Sequence, residues 1–204
     1  RDPRRRAGTL RMIISSGFPE RDRAQIAALY WEAFGQKLGR VMGPRDRALQ
    51  FFEAVLDPAH AICAHTANGD LLGVAGFKTH TGALVGGGMG DLARVYGWVG
   101  AMWRVALLAL LERDTENDRF LMDGIFVAPA ARGQGVGTAL LDAIADKARS
   151  RGHSEVRLDV IDTNPRARAL YERQGFVAIK TQDLGVLRHV FRFDSATTMV
   201  RDLC

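Results

Sequence analysis

The feature that most limits how this chain can fold is a glycine-rich segment between a strand-like run and a helix-like run. Residues 125–138 read IFVAPAARGQGVGT, in which the apolar run ends at Val127 and glycine recurs at Gly133, Gly135 and Gly137. Glycine permits turns and close approaches that a side chain would block. The N-terminus of the following helix offers unpaired N–H groups and the positive end of its dipole. This pattern predicts a site for a phosphate-bearing ligand.

The same segment carries a fixed cation, and two other interpretations of it compete with a phosphate site. Arg132 adds positive charge beside the glycines, which favours a pyrophosphate group. A G-x-G turn can also join two elements without binding anything. A dinucleotide site is a further alternative, because Asp159 follows Gly133 by 26 residues, where a ribose-binding acid would lie. Residues 128–132 separate the strand from the glycines, however, and the spacing is G-x-G-x-G, which disfavours a nicotinamide-dependent oxidoreductase.

Hydrophobic periodicity along the chain predicts one α/β domain over residues 10–204, after a flexible Arg-rich tail at 1–9. The expected order is βααββ, an inserted helix, and then βαβαββ, without internal repeats or a linker. Strands are expected at 10–15, 61–67, 71–79, 119–127, 155–161, 177–182 and 189–200. Helices are expected at 19–34, after Pro44, at 135–152 and at 164–175. The apolar face of the first helix is expected to comprise Ile26, Leu29, Tyr30, Ala33 and Phe34.

An unusually apolar helical insertion is expected over residues 84–111, before the strand that precedes the glycine-rich turn. A membrane span needs about 20 uninterrupted apolar residues, and Arg94 and Arg104 interrupt this stretch. We expect the helix to border the acceptor side of a cleft or an interface between two copies, with ordinary core packing as the alternative. The side chains expected to form an apolar wall are Tyr96, Trp98, Met102 and Trp103.

Composition excludes several classes of protein. Net charge is +5, and only four of the 28 basic residues are lysine, a bias typical of GC-rich bacterial genomes. The excess of positive charge favours an anionic ligand such as a polyphosphate. The sequence does not show the interleaved basic and aromatic residues that would indicate nucleic-acid binding. Cys63 and Cys204 do not suggest a disulfide framework, and the scattered histidines predict no metal site. The N-terminal residues lack an apolar signal core, so cytoplasm is the expected compartment.

Two motifs then resemble one known family. The first, V-x-P-x-x-R-G-x-G-V-G, is carried by Val127, Pro129, Arg132, Gly133, Gly135, Val136 and Gly137. The second, N-x-x-A-x-x-L-Y-x-x-x-G-F, is carried by Asn164, Ala167, Leu170, Tyr171, Gly175 and Phe176. Together they resemble the acetyl-CoA-binding region of the GNAT N-acetyltransferase superfamily, over residues 121–176. The resemblance implies a mixed, mostly antiparallel sheet flanked by helices.

The resemblance also implies a binding site for acetyl-CoA, as a co-substrate without a metal. The strand that carries 125–127 would diverge from its neighbour, pantetheine would lie in the gap, and a backbone N–H would polarise the thioester carbonyl. Residues 133–138 resemble the pyrophosphate-binding turn of the family. The implied cofactor-binding residues are Ile125, Phe126, Val127, Arg132, Gly133, Gln134, Gly135, Val136, Gly137, Thr138, Asn164, Ala167 and Tyr171.

By resemblance, Tyr171 is the general acid that protonates the departing thiolate, because a neutral phenol can donate a proton. The alternative is a packed aromatic residue whose hydroxyl is bonded to a nearby group. Asn164 can serve as a helix N-cap as well as a ligand. The general base has three candidates. Asp159 is placed where related N-terminal acetyltransferases carry a glutamate, and Asp123 shares a strand face with Ile125 if no bulge intervenes. A water chain is the third.

The sequence therefore predicts an enzyme that moves an acetyl group from acetyl-CoA to a primary amine by direct attack in a ternary complex. The acceptor is open among a small molecule, a protein N-terminus and a lysine. The alternative is a non-catalytic GNAT module that binds acyl-CoA and regulates a partner. Neither a nucleic acid nor a membrane is an expected partner, and the chain is a candidate homodimer.

Overall fold

The computed structural model describes residues 11–111 and 119–204 of the chain. Eight strands are present in this part: β1 (Met12–Ser16), β2 (Ala61–Thr66), β3 (Leu71–Thr79), β4 (Gly82–Ala83), β5 (Phe120–Val127), β6 (Glu155–Ile161), β7 (Val177–Asp183) and β8 (Ser195–Asp202). Six helices accompany them: α1 (Arg23–Met42), α2 (Arg45–Val55), α3 (Met89–Leu111), α4 (Val136–Ser150), α5 (Pro165–Arg173) and the short α6 (Arg188–Phe191). The predicted elements occur in the predicted order, and the structure adds two that were not predicted, β4 and α6. The predicted tail at 1–9 lies outside the described residues.

The strands form one sheet in the order β1-β2-β3-β5-β6-β8-β7, with β4 paired to β3. Only β5 and β6 are parallel among the pairs that the structure describes, and the others are antiparallel. The predicted fold class, a mixed and mostly antiparallel sheet flanked by helices, is therefore confirmed. The inserted helix α3 precedes β5, as the sequence indicated.

Each face of the sheet carries its own apolar core. On one face α1, α2 and α3 pack through buried side chains that include Ile26, Phe52, Leu92 and Phe126. On the other face α4 and α5 pack through a second set that includes Leu140, Ile144, Leu158 and Tyr171. Burial of this apolar area is the main stabilising contribution to such a layered domain.

A gap divides the sheet between β5 and β6. These strands pair only where Phe120 faces Val156 and Leu121 faces Arg157, although β5 continues to Val127 and β6 to Ile161. On its other edge the whole of β6 pairs with β8, through seven consecutive residue pairs. The carboxyl ends of the two parallel strands therefore diverge, as the resemblance implied.

Three local predictions need correction. Helix α1 continues through Gly35 and Gly39 to Met42, eight residues beyond its predicted end, and Ala33 on its expected apolar face is exposed. The predicted strand at 189–200 begins only at Ser195. Its first residues form α6 instead, which places the buried Phe191 against the core that α1 shares. The sequence did not reveal this change, because a short, largely apolar segment such as 190–193 fits a helix and a strand equally well.

The inserted helix α3 is broken at Gly97, whose φ of 72° and ψ of 164° are not helical. Tyr96 is buried and its hydroxyl donates to the carbonyl of Met42 at the end of α1. The other members of the expected apolar wall, Trp98, Met102 and Trp103, are exposed and do not pack in the core, so their role at the cleft or at an interface between two copies stays a prediction. Buried positions on both sides of the break, among them Leu92 and Ala101, pack the rest of this helix into the core. Among the described helices, none has the length and apolar content that crossing a membrane requires.

Candidate active site

The glycine-rich turn forms an open cradle at the start of α4. Gly133 and Gly135 have φ values of 77° and 82°, a region that other residues adopt at a cost in strain. A Cβ at either position would meet no atom within 4 Å, so the loop surface is open. Gly135 caps α4 without a side-chain hydrogen bond, and the first helical bond runs from Ala139 N–H to Gly135 O. The preceding N–H groups of α4 are therefore available to an anion.

Those available N–H groups belong to Val136, Gly137 and Thr138. The side chain of Val136 is 1% exposed and anchors the helix start in the core, so only its backbone faces the cradle. A Cβ on Gly137 would lie 2.9 Å from Cδ2 of Leu170 on α5. Only glycine fits at this position without displacing Leu170, because the two helices pack closely there. Gln134 turns back and donates from Nε2 to the carbonyl of Ala130 at 2.7 Å.

Arg132 makes contacts that the sequence did not indicate. Its Nε donates to the carbonyl of Val127 at 3.1 Å, and its Nη2 lies 2.6 Å from a carboxylate oxygen of Glu32 on α1. The guanidinium thus ties the cradle to α1 as well as providing the expected positive charge. Both members of the ion pair are about half exposed, so the pair is open to competition from another anion.

Backbone donors of β5 face the gap. The N–H of Ala128 donates to the carbonyl of Leu72, and Val127 faces Gly73 in the antiparallel register with β3. Because N–H groups alternate in direction along a strand, those of Ile125 and Val127 point away from β3 and toward the gap. They are placed to donate to an oxygen that develops negative charge there. Phe126 contributes differently, because its side chain is buried on the α1 face.

Tyr171 lies on α5 at the α4 side of the gap. The residue is 5% exposed, and its ring centroid is 5.8 Å from that of Phe176. Burial raises the pKa of its hydroxyl above the usual range, which keeps the phenol protonated. Among the described residues the hydroxyl has no hydrogen-bond partner, unlike that of Tyr96. The alternative interpretation, in which the Tyr171 hydroxyl is hydrogen-bonded to a nearby group, therefore finds no such group among the described residues.

Asn164 is the N-cap of α5, as one interpretation of the sequence held. Its side-chain oxygen accepts a hydrogen bond from the N–H of Ala167 at 3.2 Å. Ala167 is half-buried and packs against the core below α5, on the same face as α4. The helix is therefore fixed at its start, which fixes the position of Tyr171 at its other end.

Asp159 lies on β6 where the strand has left β5. Its Oδ1 accepts a hydrogen bond of 2.6 Å from the hydroxyl of Thr198, the residue it faces on β8. Its Oδ2 lies 3.7 Å from Nη2 of Arg157. The carboxylate remains 44% exposed, so it is fixed in position yet accessible from the gap. Its neighbours Leu158 and Val160 point into the α4 side, which places Asp159 on the α1 side.

Asp123 does not share a strand face with Ile125. A bulge in the β3–β5 register pairs Gly76 with Gly124 and Phe77 with Met122, which leaves Asp123 as the extra residue. The exposed Asp123 therefore turns toward α1, whereas Ile125 packs on the α4 side. Its charge reaches Tyr30 on α1, where burial raises the pKa of the tyrosine hydroxyl and Asp123 raises it further.

One face of α1 was not among the predicted site residues. Tyr30, Phe34 and Lys37 follow the i, i+4, i+7 spacing of one side of α1, whereas the sequence predicted only the apolar face with Tyr30 and Phe34, on a helix that ended before Lys37. The Phe34 ring packs 5.5 Å from that of Phe126 on β5. The Lys37 ammonium lies one turn further along, where it feels the charge of Asp159. The aromatic residues Tyr30 and Phe34, together with the charged Lys37, line the side of the gap opposite α4.

Together these groups line a candidate site on both sides of the divided sheet. The α4 side offers orphan N–H groups for a phosphate and a buried phenol, while the α1 side offers two carboxylates and an aromatic wall. The gap offers two backbone donors between them. Within the described ranges no three His, Cys, Asp or Glu side chains are grouped as a metal site. The arrangement fits acid–base chemistry at an acyl carbon.

Comparison with known proteins agrees with this chemistry. The sequence profile described as "Acetyltransferase (GNAT) family" matches residues 23–176. Thialysine N-epsilon-acetyltransferase from Bos taurus is 39% identical over 75 residues, which cover 36% of this chain and 41% of that protein. Streptothricin acetyltransferase from Streptomyces lavendulae is 37% identical over 84 residues, covering 41% of this chain and 44% of that protein. The matched segment thus spans less than half the length of either relative.

Solved structures share the fold at low sequence identity. An N-acetyltransferase from Staphylococcus aureus Mu50 superposes with a TM-score of 0.63 and 18% identity, covering 92% of this chain and 99% of that one. A crystal structure of an acetyltransferase superposes with a TM-score of 0.62 and 19% identity, covering 94% of this chain and 100% of that one. At these identities the likeness establishes the architecture.

Proposed function

Because the chain belongs to the acetyltransferase (GNAT) family, whose members are acetyl-CoA-dependent N-acyltransferases, we propose that it transfers an acetyl group from acetyl-CoA to a primary amine. The observation that carries the proposal is the divergence of β5 and β6 directly beside the uncapped start of α4. This junction offers a slot for the pantetheine arm and an anion site for the diphosphate at its mouth.

The residues present fit acetyl-CoA as a substrate. The N–H groups of Val136, Gly137 and Thr138 hold phosphate oxygens, with Arg132 as an adjacent cation. The N–H groups of Ile125 and Val127 point into the slot and orient the thioester carbonyl. Such fixed donors stabilise the oxyanion that develops during acyl transfer.

Proton transfers are assigned to the two sides of the gap. Tyr171 protonates the departing thiolate, since burial raises its pKa and no described partner occupies its hydroxyl. Asp159 receives the proton of the attacking amine, because it is fixed by Thr198 and exposed to the gap. Asp123 faces the same side through its bulge and helps to attract a cationic amine. The acceptor attacks directly, with both substrates bound.

The acceptor is a primary amine on a small molecule, or on a protein terminus or lysine. Names of the relatives support the amine class, since one names the ε-nitrogen of thialysine. The aromatic residues of α1 and the carboxylates of the sheet would receive an amine that carries apolar carbon beside its nitrogen.

Thiol release from acetyl-CoA, measured with and without a panel of primary amines, tests the proposal. We expect at least one amine to raise the rate in wild-type protein, and the increase to be lost in Tyr171→Phe. A protein that binds CoA tightly but releases no thiol with any amine would be a regulatory module without turnover.

A further inference from the structure

Lys37 is an amine of this chain that lies on the α1 side of the gap, within reach of the charge of Asp159. Lys37 lies one helical turn beyond Phe34 on α1. The Phe34 ring packs against Gly124 of β5, since its Cζ atom would lie 3.3 Å from a Cβ added to that glycine. The Lys37 ammonium lies 5.8 Å from the Phe34 ring centroid and 5.2 Å from that of Phe193, before β8. It therefore spans the α1 side of the gap, between the strand that holds the thioester and the strand that carries Asp159.

The surroundings of Lys37 favour its neutral form more than water does. Burial lowers the pKa of its amine, and the nearby Asp159 charge only partly opposes this effect. No hydrogen bond or ion pair holds the Lys37 nitrogen within 11–111 and 119–204, where its contacts are the two aromatic rings. A lowered pKa raises the fraction of Lys37 that is the neutral amine, which is the nucleophilic form, and no carboxylate of the described residues pairs with its nitrogen to hold the charged form.

Resting on the proposed function, we propose that Lys37 is an internal acceptor and that the protein acetylates itself there. The lone pair of Nζ forms a C–N bond to the thioester carbonyl carbon, and the C–S bond breaks. The departing sulfur takes its proton from Tyr171, and the proton lost from Nζ passes to Asp159 or to water. The Tyr171 phenolate then regains a proton from Asp159 or from water. The products are CoA and Nε-acetyl-Lys37, so atoms and charge balance without a further reagent.

Two of the other three lysines, Lys147 and Lys180, are positioned differently and serve as internal controls. Lys147 lies on α4 beside a shallow groove against β1, on the face of the sheet opposite Lys37. Lys180 lies on the exposed edge strand β7. Slow chemical acetylation by acetyl-CoA favours exposed lysines such as Lys180, whereas a reaction inside the site favours the half-buried Lys37.

The experiment incubates the folded chain with acetyl-CoA in the absence of any added amine and quantifies each acetylated lysine by peptide mass spectrometry over time. Parallel samples contain heat-unfolded protein, Gly135→Glu, which blocks the diphosphate cradle, and Lys37→Arg. We expect Lys37 to react at least about tenfold faster than Lys147 and Lys180, since it is held beside the thioester. That preference disappears on unfolding and in Gly135→Glu.

Two results would overturn the proposal. Equal acetylation of Lys37 and Lys180 in folded and unfolded protein would show a purely chemical reaction. An unmodified Lys37 in protein that releases thiol with an added amine would reject self-acetylation and leave the proposed function standing. Absence of both reactions would reject the proposed function as well.

Discussion

The guanidinium of Arg132 lies 2.6 Å from the carboxylate of Glu32, in an ion pair that joins the glycine-rich loop to α1. The same arginine flanks the N–H groups proposed to hold the diphosphate. A diphosphate held there would therefore compete with Glu32 for one cation. The ion pair also links the cofactor side of the gap to the helix that carries Tyr30, Phe34 and Lys37 on its other turns.

Glu32→Gln is expected to tighten CoA binding by up to about fivefold, because an exposed ion pair contributes about 0–1 kcal/mol and its loss frees Arg132. Isothermal titration calorimetry at low ionic strength measures the change. Weaker binding in this variant would mean that Glu32 holds Arg132 in its binding position and does not compete with the ligand.

Gly135→Glu is expected to abolish the rise in Tm that CoA produces in wild-type protein, because it places a negative side chain in the cradle. Gly152→Glu is the matched control, since Gly152 has a φ of 79° at the other end of α4 and also faces open space. Both variants suffer similar backbone strain, so only the first should lose the shift. A Tm shift with NADH but not with CoA would contradict the site assignment.

Tyr171→Phe is expected to lower kcat by about 10²- to 10⁴-fold while CoA affinity stays nearly unchanged, because the ring still packs and only the proton donor is lost. Tyr96→Phe is the control. Its hydroxyl binds Met42 away from the gap, so its loss should reduce the free energy of unfolding by about 1 kcal/mol and leave kcat intact. Equal kcat values for Tyr171→Phe and wild type would remove Tyr171 from the mechanism.

Asp159→Asn is expected to lower kcat/KM most at low pH, where the acceptor amine is protonated and needs a base. The loss should shrink as pH approaches the pKa of the amine, about 8 for an α-amine and about 10.4 for a lysine-type amine. Asp123→Asn should raise KM for a cationic acceptor, and it should change the pH dependence of kcat/KM less than Asp159→Asn does. Wild-type pH profiles in both variants would assign the proton to a water chain.

The parts of the fold that the sequence predicted correctly are set by local chemistry. The start of α4 follows from glycines that the turn itself requires, Gly133 and Gly135 by positive φ and Gly137 by packing against Leu170. Strand β6 begins and ends where predicted, because its alternating side chains are buried on one face only. The N-cap of Asn164 is likewise a short-range interaction.

Features set by distant partners were not predictable. The bulge that turns Asp123 toward α1 depends on its register with Gly76 of β3, which no local pattern reveals. The break of α3 depends on Gly97, yet an isolated glycine is also tolerated within a helix. The environment of Lys37 arises from Phe193 and Asp159, far along the chain, so α1 alone indicates only an amphipathic helix.

Isotopically labelled acetyl-CoA, incubated with the protein and a panel of primary amines and followed by mass spectrometry of the acceptor, tests the central claim most directly. We predict that one labelled acetyl group appears on the nitrogen of an accepted amine for each CoA released, and that Tyr171→Phe slows both products equally. Release of CoA with the label recovered as free acetate, whichever amine is present, would contradict an amine acetyltransferase.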